Sequence, residues 1–230
     1  PVDILKIIDK EKKVYPNPDI NKIIQNRKLE KSFVNDLGIQ TTEWAFIDKV
    51  EDVLKNENLL PGILKTNTLG YDGHGQFVLN SLDDIKKDWC FTDDYILEKK
   101  VDLMKEISVI LTRYQNGAMS IYEPIENMHK KQILKHSKIP AEINDKIFKE
   151  SLESAKKIAE HLNYVGKMAV EYFINKNNDL LLNEIAPRVH NSGHLTINAF
   201  NISQFEGHVR AVCNLEIIAV GKNSKAAEMI

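Results

Sequence analysis

Cysteine is scarce. Among 230 residues there are two, Cys90 and Cys213, too few for a disulfide scaffold and suited to a reducing compartment. No apolar run approaches the roughly 20 residues that a membrane-spanning helix needs, and no basic-then-apolar leader opens the chain. Basic excess is missing too: Lys+Arg number 31 against Asp+Glu 33, a net charge of -2. A protein that grips nucleic acid through its phosphates usually carries that excess. There is no low-complexity tract and no internal repeat. What is present is ordinary, with 43% hydrophobic and 28% charged residues. This excludes a disordered or collagen-like chain and leaves one large domain or two small ones. The expectation is a cytoplasmic protein that contacts neither membrane nor nucleic acid.

Ile4, Leu5, Ile7 and Ile8 lie close to helical spacing, and Tyr15-Pro16-Asn17-Pro18 breaks the pattern. Residues 20–37 read as one charged amphipathic helix with Ile23, Ile24, Leu29, Phe33 and Leu37 near one face, stopped by Gly38. Short apolar runs at 44–47, 62–65, 76–79, 95–99 and 104–112 read as strands. Residues 111–165 hold a further strand pair and a long helix over 145–162, with Ile147, Leu152, Ala155, Ile158, Ala159 and Leu162 in its apolar stripe. Strands at 167–174 and 179–185 flank Asn175-Lys176-Asn177-Asn178, a strong hairpin signal. A last helix covers about 203–213. Interleaved strands and helices predict an α+β or mixed α/β domain.

Four segments carry candidate chemistry. Lys65 through Gln76 sets three glycines, Gly70, Gly73 and Gly75, between two expected strands. Glycine lets backbone N–H groups approach a polyphosphate, and Lys65 would add a point charge. The spacing is neither a P-loop nor a dinucleotide fingerprint, and a plain hairpin turn is the alternative. Glu171 and Glu184 each sit in an apolar strand. Alternation groups Glu171 with Ala169 and Phe173, and Glu184 with Leu182 and Ala186. Carboxylates there are costly unless they hold a cation or a basic partner, and hard oxygens near phosphates suit Mg²⁺. The densest segment is Asn183-Glu184-Ile185-Ala186-Pro187-Arg188-Val189-His190-Asn191-Ser192-Gly193-His194. Arg188 offers a planar fork for an anion, and His190 and His194 can exchange protons near neutral pH. Their spacing matches a zinc pair, but no third ligand stands near. Last, Glu98-Lys99-Lys100-Val101 with Glu106 could meet an adenine amino group and ribose hydroxyls, or be solvated charges at strand ends.

Together with Glu126-Asn127-Met128-His129 and Ser203-Gln204-Phe205-Glu206, these segments resemble the ATP-grasp enzymes. Within them the resemblance is to the 5-(carboxyamino)imidazole ribonucleotide synthetases of purine biosynthesis, from about Val14 to Leu215. It implies an α+β ATP-grasp fold in which two subdomains clasp ATP. The implied division is a helical segment at 1–41, a lid at 42–105, a core at 106–215 and a divergent tail at 216–230. It implies ATP and Mg²⁺, with bicarbonate and aminoimidazole ribonucleotide as substrates joined through carboxyphosphate, in a commonly homodimeric enzyme. Arg27 and Lys65 would contact ATP. Gly70, Tyr71, Asp72, Gly73, His74, Gly75 and Gln76 would form the phosphate loop, with Tyr71, Asp72 and Arg188 facing the ribonucleotide. Glu98, Lys99, Lys100 and Val101 would form the adenine hinge, Glu106 would hold ribose, and His129 would line the nucleotide site. Glu171 and Glu184 would be the magnesium carboxylates, with Asn183 beside them. Arg188, His190 and Asn191 would serve bicarbonate and carboxyphosphate, with His190 as proton relay.

The resemblance also has departures. Leu69 stands where the family has the first of two glycines, and His74 where it has Lys or Arg, which predicts weaker nucleotide handling. The chain opens on Pro1, and 216–230 leaves the family pattern. The expectation is a chain short of a domain at each end. A non-catalytic remnant that binds nucleotide, or that needs a partner chain, is the alternative.

Overall fold

The computed structural model describes residues 1–70, 74–85 and 94–230. Tyr71, Asp72, Gly73 and Cys90, and the roles expected of the first three, lie outside the described residues. Three helices open the chain: α1 (Val2–Glu11), α2 (Pro18–Ile24) and α3 (Arg27–Asp36). The single helix expected over 20–37 is therefore two. Asn26 begins the second one, its side chain accepting from Leu29 N at 3.0 Å, and Arg27 N donates to Asn67 O at 2.9 Å instead of continuing the helix. A good N-cap residue ends one helix and starts the next at little cost.

Strands β1 (Trp44–Ile47), β2 (Gly62–Thr66), β3 (Gln76–Leu79) and β4 (Tyr95–Lys99) form a four-stranded sheet in the order β1-β4-β2-β3, with α4 (Val50–Lys55) following β1. Ile47, Val53, Leu64, Leu79 and Leu97 make its core. A larger sheet takes β5 (Leu103–Arg113), β6 (Met119–Ile121), β7 (Ile125–Lys130), β8 (Ile133–Ile139), β9 (Gly166–Asn175), β10 (Leu180–Ala186) and β11 (Ala227–Met229). Its order is β10-β9-β5-β7-β8-β11, with β6 on β5. The strand pair expected in 111–165 is three strands. The tail joins the sheet as well: β11 pairs antiparallel with β8, because Ala227 and Met229 find apolar cover there. All pairings within both sheets are antiparallel, so the fold is α+β.

Period-two alternation gives the larger sheet two different faces. On one, Ile107, Val109 and Leu111 of β5 and Val170, Tyr172 and Ile174 of β9 pack under α5 (Asp145–His161), whose Ile147, Ala155 and Ile158 are buried against them, and beside Ile20 and Val34. On the other, Ile110, Ile125, Ile139, Ala169 and Ala186 lie under Tyr122, Leu195 and Phe200. That face turns polar toward the smaller sheet, through Ser108, Glu106, Asn127 and Glu171. Two short helices, α6 (Thr196–Ala199) and α7 (Gln204–Val212), complete this side.

One irregularity corrects the expected alternation. The β9–β10 register shifts between Leu182, opposite Tyr172, and Glu184, opposite Glu171. Asn183 is the extra residue of a bulge. Leu182 therefore joins the core under α5, on the face opposite to Glu184. Among the described residues no helix is long and apolar enough to cross a membrane.

Candidate active site

A cavity of about 500 Å³ lies between the two sheets. Lys65, Gln76, Glu98 and the link Lys99-Lys100-Val101 border it from the smaller sheet. Glu106, His129, Glu171, Asn183 and Glu184 border it from the larger one, Arg27 from α3, and Arg188, His190 and Asn191 from the loop after β10. Distant segments of the sequence reading thus meet at one place. Gly70 instead lines a neighbouring cavity of about 790 Å³, walled by α2, α3 and Ile185-Ala186-Pro187, which Arg188, Arg27 and Glu184 share with the first. His74 and Gly75 border neither cavity.

On the smaller sheet, Glu98 is buried. Lys65 Nζ donates to its Oε2 at 2.8 Å, Lys31 Nζ lies 3.1 Å from its Oε1, and Thr42 Oγ1 donates to Oε2 at 3.2 Å. Burial alone would raise the Glu98 carboxyl, but the two lysines outweigh it and hold it at about 2. This carboxylate is committed to the two lysines. Lys31 was not anticipated from sequence. Its signal was there, four residues after Arg27 and so on the same helix face, but a lysine in a charged helix reads as solvated. Glu30 is equally hidden. It accepts from Ile185 N at 2.7 Å, and burial, then the Glu184 charge, push it up to about 8.

On the larger sheet, Glu171 and Glu184 stand directly opposite each other across β9 and β10. Asn183, displaced by the bulge, donates to Glu171 Oε2 at 3.4 Å. His190 Nε2 lies 3.2 Å from Glu171 Oε1, and Arg27 Nη1 3.8 Å from Glu184. Burial, then the facing Glu184, push the Glu171 carboxyl up to about 7. His190 moves the other way, to about 4, through burial and then the Arg188 charge, so its ring is neutral at neutral pH. His129 pairs with the Glu106 carboxylate, and that hydrogen bond raises it.

The loop after β10 is held from behind. Gln204, at the start of α7, accepts from His190 N at 2.9 Å and donates to His190 O at 2.7 Å. A Cβ on Gly193 would sit 2.3 Å from Gln204 Oε1, so only glycine permits that approach. His194 does not reach the cavity; it is exposed and stacks on Phe205, ring centroids 5.5 Å apart. Among the described residues no group of three or more His, Cys, Asp or Glu is arranged to hold a metal. A zinc pair of His190 and His194 does not form. The facing Glu171 and Glu184 remain: two hard oxygen ligands whose repulsion Arg27 and the Asn183 amide offset only in part, a donor set of the kind that suits a divalent cation.

Two antiparallel sheets on either side of a cleft, with a lysine reaching it from one and paired carboxylates from the other, are an arrangement of the grasp type. The ATP-grasp domain model matches residues 32–205, and the chain belongs to that family. It is 42% identical over 210 residues to the N5-carboxyaminoimidazole ribonucleotide synthase of Brucella melitensis, covering 89% of this chain and 58% of that one. The crystal structure of the Staphylococcus aureus N5-carboxyaminoimidazole synthetase complexed with ADP superposes with a TM-score of 0.90 at 31% identity, covering 96% of this chain and 60% of that one. The Aspergillus clavatus N5-carboxyaminoimidazole synthase, in complex with ADP and 5-aminoimidazole ribonucleotide, gives 0.84 at 28% identity over 95% of this chain and 59% of that one. The chain therefore spans between 58% and 60% of the length of these relatives.

Proposed function

We propose that this chain carries out the ATP- and bicarbonate-dependent carboxylation of 5-aminoimidazole ribonucleotide. In that reaction the terminal phosphoryl group of ATP passes to bicarbonate, giving carboxyphosphate and ADP. The exocyclic amine of the ribonucleotide then takes the carboxyl group, directly or as released CO₂, and phosphate leaves. The observation that carries the reading is the facing pair Glu171 and Glu184 in one cavity with Lys65 and, on its rim, Arg188, His190 and Asn191.

Phosphoryl transfer asks the protein for position and for charge stabilisation. Lys65, held by Glu98, and Arg27, beside Glu184, bring two cations to the phosphates. Glu171 and Glu184, with the Asn183 amide, are the residues that would hold Mg²⁺, which when bound neutralises phosphate charge. The backbone of Lys99-Lys100-Val101 meets adenine between Ile63, Leu103 and Phe173, and Glu106, paired with His129, accepts from ribose hydroxyls. Arg188 borders both cavities, so its fork suits an anion passing between ATP and the ribonucleotide, which the second cavity would receive. Asn191 adds an amide on the same rim. Roles for Tyr71 and Asp72 against the ribonucleotide, and for Gly70 through Gln76 over the phosphates, rest on the sequence resemblance, as does a homodimer.

The test is ADP release from ATP, Mg²⁺ and bicarbonate, with and without aminoimidazole ribonucleotide. The expected result is release that depends on the ribonucleotide. Saturable ATP binding without such release would overturn the reading and leave a nucleotide-binding chain.

A further inference from the structure

We propose that Ser137, Asn127, Ser108 and Ser192 form a positioning chain that holds His190 as its Nε2–H tautomer and aims that proton at Glu171. The chain runs along the polar part of the larger sheet. Ser137 Oγ donates to Asn127 Oδ1 at 2.8 Å. Asn127 Nδ2 donates to Ser108 Oγ at 2.9 Å, and Ser108 Oγ to Ser192 Oγ at 2.8 Å. Ser192 Oγ lies 2.9 Å from His190 Nδ1, and His190 Nε2 lies 3.2 Å from Glu171 Oε1.

The direction follows from donor counting. An asparagine amide has one acceptor end and one donor end. With Oδ1 taking the Ser137 proton, Nδ2 points at Ser108. Ser108 Oγ then accepts, so its own proton goes to Ser192, and the Ser192 proton goes on to Nδ1. The backbone N–H of Ser192 agrees: it can only donate, and it faces the same Nδ1 at 3.4 Å. Nδ1 is therefore an acceptor and carries no proton, which places the ring proton on Nε2, facing Glu171.

The three serines have 0% exposure and Asn127 has 6%. Hydroxyls so buried are costly unless every one is paired, and here each is. Because the far end, Ser137, is sealed from solvent, the chain has no outlet for a proton. What it supplies is polarity. Ser108 is the direct cross-strand neighbour of Glu171, so the chain passes beside that carboxylate at Ser108 and ends on it through His190.

The consequence rests on the carboxylation reading of the cleft. With Nε2–H given to Oε1 and the Asn183 amide to Oε2, Glu171 is oriented with its free lone pairs toward Glu184 and the phosphates. In this tautomer His190 acts as a donor and a strut, and no ring lone pair faces Glu171. The relay role suggested by the resemblance is replaced by a positioning one.

The test needs no substrate, so it stands whether or not ribonucleotide-dependent ADP release is found. Protein labelled with ¹⁵N-histidine is examined by long-range ¹⁵N–¹H correlation, which distinguishes the two tautomers. His190→Gln identifies the His190 signals by their loss. Wild type is expected to show His190 in the Nε2–H form alone. Ser192→Ala removes the hydroxyl on Nδ1, and Ser108→Ala removes its donor without touching the ring. Both are expected to populate the Nδ1–H form measurably. An Nδ1–H ring in wild type would overturn the proposal without any variant, and so would an unchanged single tautomer in both alanine variants.

Discussion

Lys167 has 0% exposure, and its Nζ lies 4.5 Å from the centroid of the Tyr122 ring. It has no hydrogen-bond partner among the described residues, and burial pushes its amine down to about 7. The unfolded chain keeps this proton up to the ordinary lysine value, so between about 7 and 10.5 the unfolded state binds it and the folded state does not. Stability from this group therefore rises with pH across that window. Lys167→Met should stabilise the protein at pH 7, on the order of 1–3 kcal/mol. The gap between variant and wild type should narrow toward pH 10, read as urea midpoints, and a gap independent of pH would refute the assignment. Leu69 is a second residue-scale anomaly, at φ 61 with 93% exposure. A branched side chain in the left-handed region costs about 1–2 kcal/mol. Leu69→Gly with His74→Lys should free the loop and add a charge, tightening ATP binding roughly tenfold, about 1.4 kcal/mol. Equal affinity by titration calorimetry would show that neither departure matters.

Among the elements, the β9–β10 pair carries the facing carboxylates. Its bulge turns Asn183 and Glu184 toward the cleft and sets two carboxylates face to face. Such a pair is a liability to folding, which the proposed metal-holding role would explain. Removing one charge should separate the two effects. Glu184→Gln is expected to raise the urea midpoint of the free protein and to return the Glu171 carboxyl toward its ordinary range, because Glu184 is the second cause of its rise after burial. The same variant should lower turnover roughly 100-fold or more, as loss of a group that stabilises developing charge does. A variant that is both less stable and fully active would contradict this account. The element also shows why alternation misled. Counting by twos from Leu182 sets Leu182 and Glu184 on one face, and nothing local in Leu182-Asn183-Glu184 announces the extra residue.

At the scale of the whole molecule, the cavity belongs to neither sheet alone. Lys65 and Glu98 come from one, Glu106, Glu171 and Glu184 from the other, and Lys31 on α3 ties to Glu98. A nucleotide that touches both sheets should stabilise them as one unit. At 100 times its dissociation constant, Mg²⁺–ADP should add about 2.7 kcal/mol, roughly 5–10 °C in melting temperature for a chain of this size. Lys65→Ala should abolish most of that shift. Differential scanning fluorimetry reads both, and an equal shift in the variant would remove Lys65 from the phosphates.

Much of this protein was legible in its sequence. Apolar spacing determined the helix over α5 and the strands β1 to β5, β9 and β10. Asn175-Lys176-Asn177-Asn178 determined their hairpin, because turn chemistry is local. Arg188, His190 and Asn191, dense in one short segment of sequence, all border the cavity. Other features depend on contacts between residues far apart in the chain, where local pattern has no reach. Lys31 and Glu30 looked like solvated helix charges until Glu98 and the Ile185 N–H met them. The break at Asn26 depends on Asn67, and β11 depends on an open edge at β8. Ser108 looked like an ordinary strand residue, and Asn127 and Ser192 stood out only as members of longer motifs. Only packing against Glu171 and His190 joined them in one chain, because a buried hydroxyl takes its meaning from the partner that the fold brings to it.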